Sequence, residues 1–321
     1  MSRRVSFIIP VRNEGDGLQR CIKSILAQKG DVEIVLAVGP SDDNTENIAM
    51  RYALNHKNII VVGERKGNPA VARNLCLRYV SGDYIVNFSG HASLPYSDFV
   101  EKLLAKFESL DRGFGGVGFP NIPDNPDNFI SRALGGFMAG SSAGFTQYAE
   151  TMEDMIVDHV PFVCYRKEVF NRIGSFDENL PSGHDVDFNL RMKKAGYKLV
   201  FTPDVFIYFE RPKTLRGLAK KMFKYGRSRV KLMRKHPDSI SVFHLASLGL
   251  IPSIVVLSFL SLVNGLFLWF LLLGMFFYLW LCYLSMLRET SKPLKSLYGL
   301  IVYPIVHFSY SIGMIRGLIE R

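Results

Sequence analysis

The feature that most constrains this chain is a long run without charged side chains. Residues 239–287 contain no Asp, Glu, Lys or Arg, and as a helix at about 1.5 Å per residue they would extend about 73 Å. A bilayer core of about 30 Å needs roughly 20 residues per crossing, so the run is long enough to cross twice. Asn264 and Gly265 are turn-forming residues near its middle. The run predicts a membrane hairpin with spans at about 241–263 and 266–287.

Two questions about the membrane region stay open in the sequence. A pair of buried core helices is the alternative to the hairpin, although the length of the run favours the membrane. A weaker stretch at about 296–316 contains Pro304 and His307, and it either crosses as a third span or lies in the interface.

The positive charge of the chain belongs to one segment. The formal net charge is +10, and residues 211–236 hold eleven Lys or Arg and no acid, so the rest is nearly neutral. Apolar residues recur there at helical spacing, namely Leu215, Leu218, Met222, Tyr225 and Met233. This pattern predicts a basic amphipathic helix over 211–238 that lies on an anionic membrane surface. A solvated charged face is the alternative, and the neighbouring hairpin argues against nucleic acid as the partner.

The orientation follows from charge and from the amino terminus. The basic segment and the short loop with Arg288, Lys292 and Lys295 both flank apolar runs, which predicts that both are cytoplasmic. The first residues do not resemble a signal peptide, so we expect the first domain to stay on the side where it is made. The four cysteines are widely spaced and form no C-x-x-C pair, which is typical of reduced thiols in a cytosol.

Residues 1–210 alternate short apolar runs with helical patterns, which predicts an α/β domain with a mostly parallel sheet. The predicted strands are 5–10, 33–38, 59–62 and 84–88, and the predicted helices are 18–29, 45–55 (capped by Asn44 or Thr45), 69–80 and 186–195. The strands end at Pro10, Gly39 and Ser89, and in open α/β sheets ligands bind beyond the carboxyl ends of the strands.

Five segments in this region, 6–14, 33–45, 70–74, 82–88 and 183–191, resemble in order and spacing the family 2 glycosyltransferases of GT-A fold. The resemblance covers roughly residues 4–210 and implies a Rossmann-like, mostly parallel sheet with flanking helices. The nearest subgroup is the membrane-attached enzymes of exopolysaccharide assembly, such as succinoglycan-type glucosyltransferases. These also carry a basic helix followed by carboxy-terminal membrane segments.

The resemblance implies a set of residues that bind the nucleotide sugar. These are Pro10, Arg12, Glu14, Gly39, Ser41, Asp43, Arg73, Ser89 and Gly90. The family's Asp-Asp-Gly-Ser after the second strand reads Val38-Gly39-Pro40-Ser41 here, so the carboxylate that holds uracil is missing and Asp42 or Asp43 can substitute. The guanidinium of Arg73 suits a pair of phosphate oxygens.

The resemblance also implies a divalent cation, with a departure at its ligands. The family's Asp-x-Asp reads Ser89-Gly90-His91, and some relatives keep an Asp-x-His form in which the last residue is the ligand. His91 is therefore the expected metal ligand, unless it is an ordinary loop histidine. Manganese accepts imidazole more readily than magnesium does, so Mn²⁺ is favoured over Mg²⁺. We expect weak binding, mostly through the diphosphate.

The resemblance places the catalytic base at Asp185, with His184 and Asp187 in support. Spacing alone would make Asp185 a helix cap. The glycine-rich segments 113–118 and 135–144 lack the Gly-Lys-Ser/Thr of a phosphate loop and are interpreted as flexible acceptor loops. Residues 161–176 match the family's acceptor-side segment.

Together these features predict an inverting hexosyltransferase of the cell membrane, with a catalytic domain at 1–210, an interfacial helix region at 211–238 and a multi-pass region at 239–321. It would move a sugar from a nucleotide sugar to a lipid-linked acceptor, either a polyprenyl or dolichyl phosphate or a lipid-linked saccharide, at the cytoplasmic face. A catalytically inactive nucleotide-binding or scaffold protein of the same fold is the alternative. Two or three spans are too few for a transporter. The sequence specifies neither the donor sugar nor the oligomeric state.

Overall fold

The computed structural model describes residues 3–124, 128, 130, 153–180 and 182–320. They fall into two compact units, of which the first takes the described residues of 3–124 and 153–210 and the second takes 211–320 with 128 and 130. The strands of the first unit are β1 Val5–Val11, β2 Val32–Val38, β3 Ile59–Gly63, β4 Tyr84–Asn87, β5 Ala92–Ser93, β6 Phe114–Gly118, β7 Asn121–Pro123, β8 Met155–Val157, β9 Val163–Arg166, β10 Lys198–Phe201 and β11 Ile207–Phe209. Its helices are α1 Gly15–Leu26, α2 Thr45–Asn55, α3 Pro69–Leu77, α4 Phe99–Ser109, α5 Lys167–Ile173 and α6 His184–Lys194.

An eight-stranded sheet forms the centre of the first unit, in the order β3-β2-β1-β4-β9-β6-β10-β8. The first four strands in that order are parallel, as the sequence predicts. Strand β9 then runs antiparallel between β4 and β6. A second sheet of three short strands, β5-β11-β7, lies in the same unit. The mostly parallel sheet places the ends of β1, β2 and β4 at one edge.

The four predicted strands are present, and β1, β2 and β4 are almost entirely buried, whereas β3 is only partly buried. Every residue of β2 is buried, and β1 is buried except for Pro10. Helix α1 covers one face through Leu18, Cys21, Ile22 and Ile25. It begins and ends three residues earlier than predicted, and the Gln28 side-chain amide donates to Ser24 O at 2.9 Å and to Tyr96 O at 2.7 Å. Helix α3 ends at Leu77, also earlier than predicted.

The interpretation of residues 113–118 as a flexible acceptor loop is wrong. They form β6, which lies between β9 and β10 in the large sheet. A Cβ added to Gly118 would lie 2.1 Å from Cγ2 of Val160, and one added to Gly116 would lie 2.9 Å from Cγ1 of Val163. Glycine is needed at these positions because neighbouring side chains pack directly onto the strand, and not because the chain turns there. The other glycine-rich segment, 135–144, lies outside the described residues.

The second unit is helical. Its helices are α7 Leu215–Lys235, α8 Val242–Ser261, α9 Gly265–Thr290, α10 Pro293–Ser296 and α11 Gly299–Ile319. Three segments of the described chain are long and apolar enough to cross a membrane, Val242–Ser261, Gly265–Arg288 and Pro293–Ile319. The predicted turn is present, because the Asn264 side chain accepts from Leu266 N at 2.9 Å and caps α9.

The basic helix α7 packs closely on α11. Its residues Leu218, Met222 and Val230 are buried in one cluster with Val306 and Met314. The predicted apolar face is therefore not open to the membrane core, because α11 covers it. The contact of the cations of α7 with an anionic membrane surface stays a prediction. The exposed Leu215 and the cations of α7 lie outside that covered cluster.

The helix contact is made possible by glycine. A Cβ on Gly226 would lie 2.0 Å from Tyr310 O, and a Cβ on Gly313 would lie 2.2 Å from Phe223 O. The two helix backbones thus approach each other more closely than any side chain at these positions would permit.

Candidate active site

The loops after β1, β2 and β3 are joined by backbone hydrogen bonds at the carboxyl edge of the sheet. Gly39 N donates to Val11 O at 2.8 Å, and Glu64 N donates to Val38 O at 2.8 Å. This arrangement confirms that strands ending near Pro10 and Gly39 share one edge, as expected of parallel neighbours.

The loop between β1 and α1 is held to the loop after β2. Asn13 has φ of 53°, a left-handed conformation that Asn tolerates better than most residues. Its backbone N donates to Ser41 Oγ at 3.1 Å, and its side-chain oxygen accepts from Asp42 N at 2.8 Å. Arg12 Nε donates to Pro40 O at 3.0 Å. The fixed loop leaves the Arg12 side chain exposed at the predicted nucleotide site.

Two carboxylates at this edge serve local structure. Asp43 Oδ1 accepts from Thr45 N at 3.0 Å, and hydrogen bonding from Thr45 lowers the pKa of Asp43. Asn44 occupies the N-cap position of α2, but its side chain makes no capping hydrogen bond, so the prediction that it caps the helix is wrong. The side chain of Asp43 accepts from the first backbone N–H of the helix instead. The buried Glu64 accepts from Lys66 N at 2.6 Å and Gly67 N at 2.7 Å.

His91, the predicted metal ligand, lies against Glu14. Its Nδ1 is 3.2 Å from each carboxylate oxygen of Glu14 and 3.2 Å from Ser89 Oγ. The ring of Phe209 packs on the imidazole with centroids 4.7 Å apart. The His91 carbonyl accepts from Glu210 N at 3.1 Å, so the residue that follows β11 holds the loop that carries His91.

This donor set fits a weakly held cation. Among the described residues no three His, Cys, Asp or Glu side chains are grouped for a metal, and Glu14 and His91 offer two neighbouring side chains with donor atoms. A nitrogen and an oxygen ligand suit Mn²⁺ better than they suit Mg²⁺. A cation here would need further ligands from the diphosphate and water.

Arg73 lies at the same edge, next to the end of β4. Its Nε donates to Oδ1 of Asn87, the last residue of that strand. Burial lowers the pKa of Arg73, and the charge of Asp185 opposes this shift. Burial and the same Asp185 charge raise the pKa of Tyr165 well above its usual range. The charge of Asp185 thus influences the pKa of both Arg73 and Tyr165.

Asp185 does not cap its helix. Helix α6 begins at His184, and the N-cap is Gly183 with φ of 79°, which favours glycine. Asp185 instead lies in the first turn, where the helix dipole stabilises a negative charge. This position keeps a carboxylate half-buried at the amino end of the helix.

The two supporting residues face the protein interior. His184 is buried, with its ring edge-on to Phe176 at a centroid distance of 5.9 Å. Asp187 is fully buried and accepts from Arg191 Nε at 2.9 Å. Arg191 in turn donates to the carbonyls of residues 173 and 175, each at 2.7 Å. Asp187 thus holds the turn at residues 173–175, ahead of α6, through Arg191.

Sequence reasoning missed four residues of this region. Asn87 and Tyr165 end or line buried strands, and Phe209 and Glu210 come from β11 and the residue after it. A polar residue at the end of the apolar strand β4 is the signal that could have indicated Asn87. No local pattern marks β11, because its role depends on pairing with β5.

Comparisons with known proteins agree with this geometry. The family model described as glycosyl transferase family 2 matches residues 6–174, and that of glycosyl transferase family group 2 matches residues 93–291. A dolichyl N-acetyl-α-D-glucosaminyl phosphate 3-β-D-2,3-diacetamido-2,3-dideoxy-β-D-glucuronosyltransferase of Methanococcus voltae is 23% identical over 98% of this chain and 97% of its own. The succinoglycan biosynthesis protein ExoA of Rhizobium meliloti is 24% identical over 80% of this chain and 78% of its own.

A solved structure shares the fold. The mannosyltransferase PcManGT from Pyrobaculum calidifontis, solved with GDP-Man and Mn²⁺, covers 100% of this chain with 88% of its own length. The TM-score is 0.67 at 16% sequence identity, a likeness that shows the fold alone. The predicted GT-A architecture is thereby confirmed.

Proposed function

The chain belongs to glycosyl transferase family 2, and from that premise we propose that it is an inverting hexosyltransferase that moves a sugar from a nucleotide sugar to a lipid-linked acceptor at the cytoplasmic face of the cell membrane. The observation that carries this proposal is that Arg73, whose Nε donates to Asn87 at the end of β4, has a pKa that the charge of Asp185 also influences. A carboxylate, a buried guanidinium and an imidazole then belong to one sheet edge.

The donor would bind along this edge. The predicted nucleotide-binding set comprises Pro10, Arg12, Glu14, Gly39, Ser41, Asp43, Arg73, Ser89 and Gly90. The exposed Arg12 side chain and the loops of Gly39 and Ser41 line the first part, and Arg73 provides positive charge for phosphate oxygens. His91 would hold the cation, which would supply charge neutralisation at the departing diphosphate.

Asp185 would act as the base. The acceptor oxygen forms a bond to the anomeric carbon while the bond from that carbon to the diphosphate oxygen breaks, and Asp185 takes the hydroxyl proton. Attack from the face opposite the diphosphate inverts the anomeric centre.

The base role favours one of the two acceptor classes. A lipid phosphate is already anionic and needs no proton removed, whereas a sugar hydroxyl does. We therefore favour a lipid-linked saccharide over a bare polyprenyl or dolichyl phosphate. The Methanococcus voltae relative supports a lipid-linked acceptor, because its name specifies a dolichyl N-acetyl-α-D-glucosaminyl phosphate.

Membrane attachment follows from the second unit. Three described segments are apolar enough to cross a bilayer. The cations of α7 and the loop that holds Lys292 and Lys295 favour a cytoplasmic location for both, and the cations of α7 would meet the anionic lipid surface. We propose a multi-pass protein with its catalytic domain in the cytoplasm.

The test uses full-length protein in vesicles that contain either polyprenyl phosphate or a polyprenyl diphosphate-linked sugar. Release of UDP or GDP from a panel of nucleotide sugars is measured. We expect release only with the lipid-linked sugar, and a loss of about 10²–10⁴-fold in Asp185→Asn with nucleotide binding retained. The control Glu168→Gln removes an exposed acid of α5 and should leave the rate unchanged. A full rate in Asp185→Asn would contradict the base assignment.

The second candidate is an inactive nucleotide-binding or scaffold protein. It is favoured by Ser89 and Val38, which stand where the family has carboxylates. Nucleotide binding, measured by calorimetric titration, without transfer to either lipid would support it.

A further inference from the structure

We propose that Glu14 is the second protein ligand of the divalent cation, so that Glu14 and His91 replace the paired aspartates of the family. This inference rests on the proposed function, and it moves Glu14 from the predicted nucleoside contact to the metal. The position at Ser89, where the family supplies a carboxylate, carries only a hydroxyl in this chain. A carboxylate from a different segment lies where that function is needed.

The first argument is distance. Ligand atoms that each lie about 2.1 Å from one ion, at right angles, are about 3.0 Å apart. Nδ1 of His91 is 3.2 Å from both Oε1 and Oε2 of Glu14. A small movement of either side chain would place a cation between them. The same spacing suits a hydrogen bond, which the experiment below distinguishes.

The second argument is the backbone that brings the two together. Gly90 lies between Ser89 and His91, and a Cβ there would be 2.9 Å from Cγ of Glu14 and 2.9 Å from Cγ1 of Val11. The absence of a side chain at Gly90 therefore lets Glu14 lie over the loop. Glu14 itself is placed by its backbone N, which donates to Thr45 Oγ1 at 2.8 Å.

The third argument is the surroundings. The side chain of Glu14 is 14% exposed and that of His91 is 35% exposed, so the carboxylate is the more enclosed of the two and the imidazole faces the opening. The nearby cation Arg20 is directed to Asp124 and Glu210, at 3.8 Å and 3.5 Å. The ion pairs of Arg20 are therefore with those acids, whereas the carboxylate of Glu14 contacts His91.

The experiment measures Mn²⁺ binding directly on the full-length protein in detergent. Free Mn²⁺ is followed by its electron paramagnetic resonance signal with UDP or GDP present, and nitrogen coordination is read from spin-echo modulation. We expect nitrogen modulation in the wild type, its loss in His91→Ala, and its retention in Glu14→Gln with an affinity for Mn²⁺ at least about tenfold lower. Asp16→Asn, at an exposed acid in the first turn of α1, should bind Mn²⁺ as the wild type does.

Nucleotide affinity measured in EDTA separates the two roles of Glu14. If Glu14 is a metal ligand, Glu14→Gln keeps the wild-type affinity in EDTA and loses it only with Mn²⁺. If Glu14 contacts the nucleoside, affinity falls equally in both conditions, which would overturn the inference. In Glu14→Gln the amide oxygen can still accept a hydrogen bond from His91, but the carboxylate charge is gone. An unchanged Mn²⁺ affinity in this variant would therefore also overturn the inference.

The outcomes also separate this inference from the proposed function. Wild-type protein that binds nucleotide while Glu14→Gln binds Mn²⁺ normally refutes the ligand role alone. Wild-type protein that binds neither UDP nor GDP refutes both.

Discussion

Arg73 Nε donates to Oδ1 of Asn87 and so ties helix α3 to the end of strand β4. Another nitrogen of the same guanidinium donates to Pro69 O at 3.3 Å. Asn87 precedes the loop that carries His91, and the charge of Arg73 interacts with Asp185. One side chain thus joins the proposed cation site to the proposed base.

Replacing Arg73 by Lys should lower the transfer rate by about tenfold to a hundredfold, because lysine keeps the charge but cannot bond Asn87 and Pro69 from one planar group. Steady-state kinetics with a defined lipid acceptor would measure this loss. Arg78→Lys, at an exposed position just after α3, is the matched control and should match the wild type. Equal rates for Arg73→Lys and Arg78→Lys would contradict the linking role.

Gly226→Ala should destabilise the second unit by about 1–3 kcal/mol, because the added methyl group would meet Tyr310 O at 2.0 Å and force α7 away from α11. Thermal unfolding of the full chain in detergent measures the change. Gly274→Ala in α9 is the control, since nothing lies within 4 Å of its Cβ position. There the helix propensity of alanine should stabilise by up to about 1 kcal/mol. Similar losses at both positions would show that the close contact is unimportant.

Glu33→Ala should lower the stability of the first unit by about 2–4 kcal/mol. Its buried carboxylate accepts from Ser6 Oγ at 2.6 Å, from Ser81 Oγ at 2.7 Å and from Ser81 N at 2.8 Å, and the change leaves these donors without an acceptor. Ser81→Ala removes only one of the three bonds and should cost about 1 kcal/mol. Denaturant titration followed by fluorescence ranks the two variants, and the reverse order would refute this account of the network.

Lys221 should make stability depend on alkaline pH. Burial, followed by the charges of Arg211 and Lys224, lowers the pKa of Lys221 to about 8. The folded chain then releases the proton at a lower pH than the unfolded chain, so stability should rise between pH about 8 and about 10.5. Lys221→Met should raise the melting temperature at pH 7 by a few degrees, roughly, with the difference vanishing near pH 10.5.

The exposed Lys220 provides the control for that experiment. Lys220→Met removes the same charge from the same helix without relieving burial, so its melting temperature should follow the wild type at every pH. A pH-independent difference for Lys221→Met would mean that its packing, and not its charge, is responsible.

The first four strands of the first unit could be predicted from the sequence because their signals are local. Strands β1 to β4 are mostly apolar, and parallel strands place their ends at one edge whatever the distant chain does. The location of Pro10, Gly39 and the loop that holds His91 at one edge follows from that rule. The resemblance to a family added the roles of Asp185 and Arg73, which spacing alone assigned to a cap and to a helix.

Three other features could not be predicted in the same way, because they depend on contacts between distant segments. The glycines of β6 look like a turn until Val160 and Val163 pack on them. The approach of Glu14 to His91 depends on Gly90, and the burial of the α7 apolar face depends on α11. None of these partners is close in sequence to the residue it explains.

The position of β9 between β4 and β6 has a consequence for how the chain is made. Strand β4 ends at Asn87, whereas its second neighbour, β9, begins only at Val163. At about 5–20 residues per second, a ribosome needs several seconds to reach β9 after it has finished β4. During that interval β4 has an open edge that can pair with another chain. A nascent polypeptide of this protein should therefore depend on chaperone binding at β4 until the returning strand emerges.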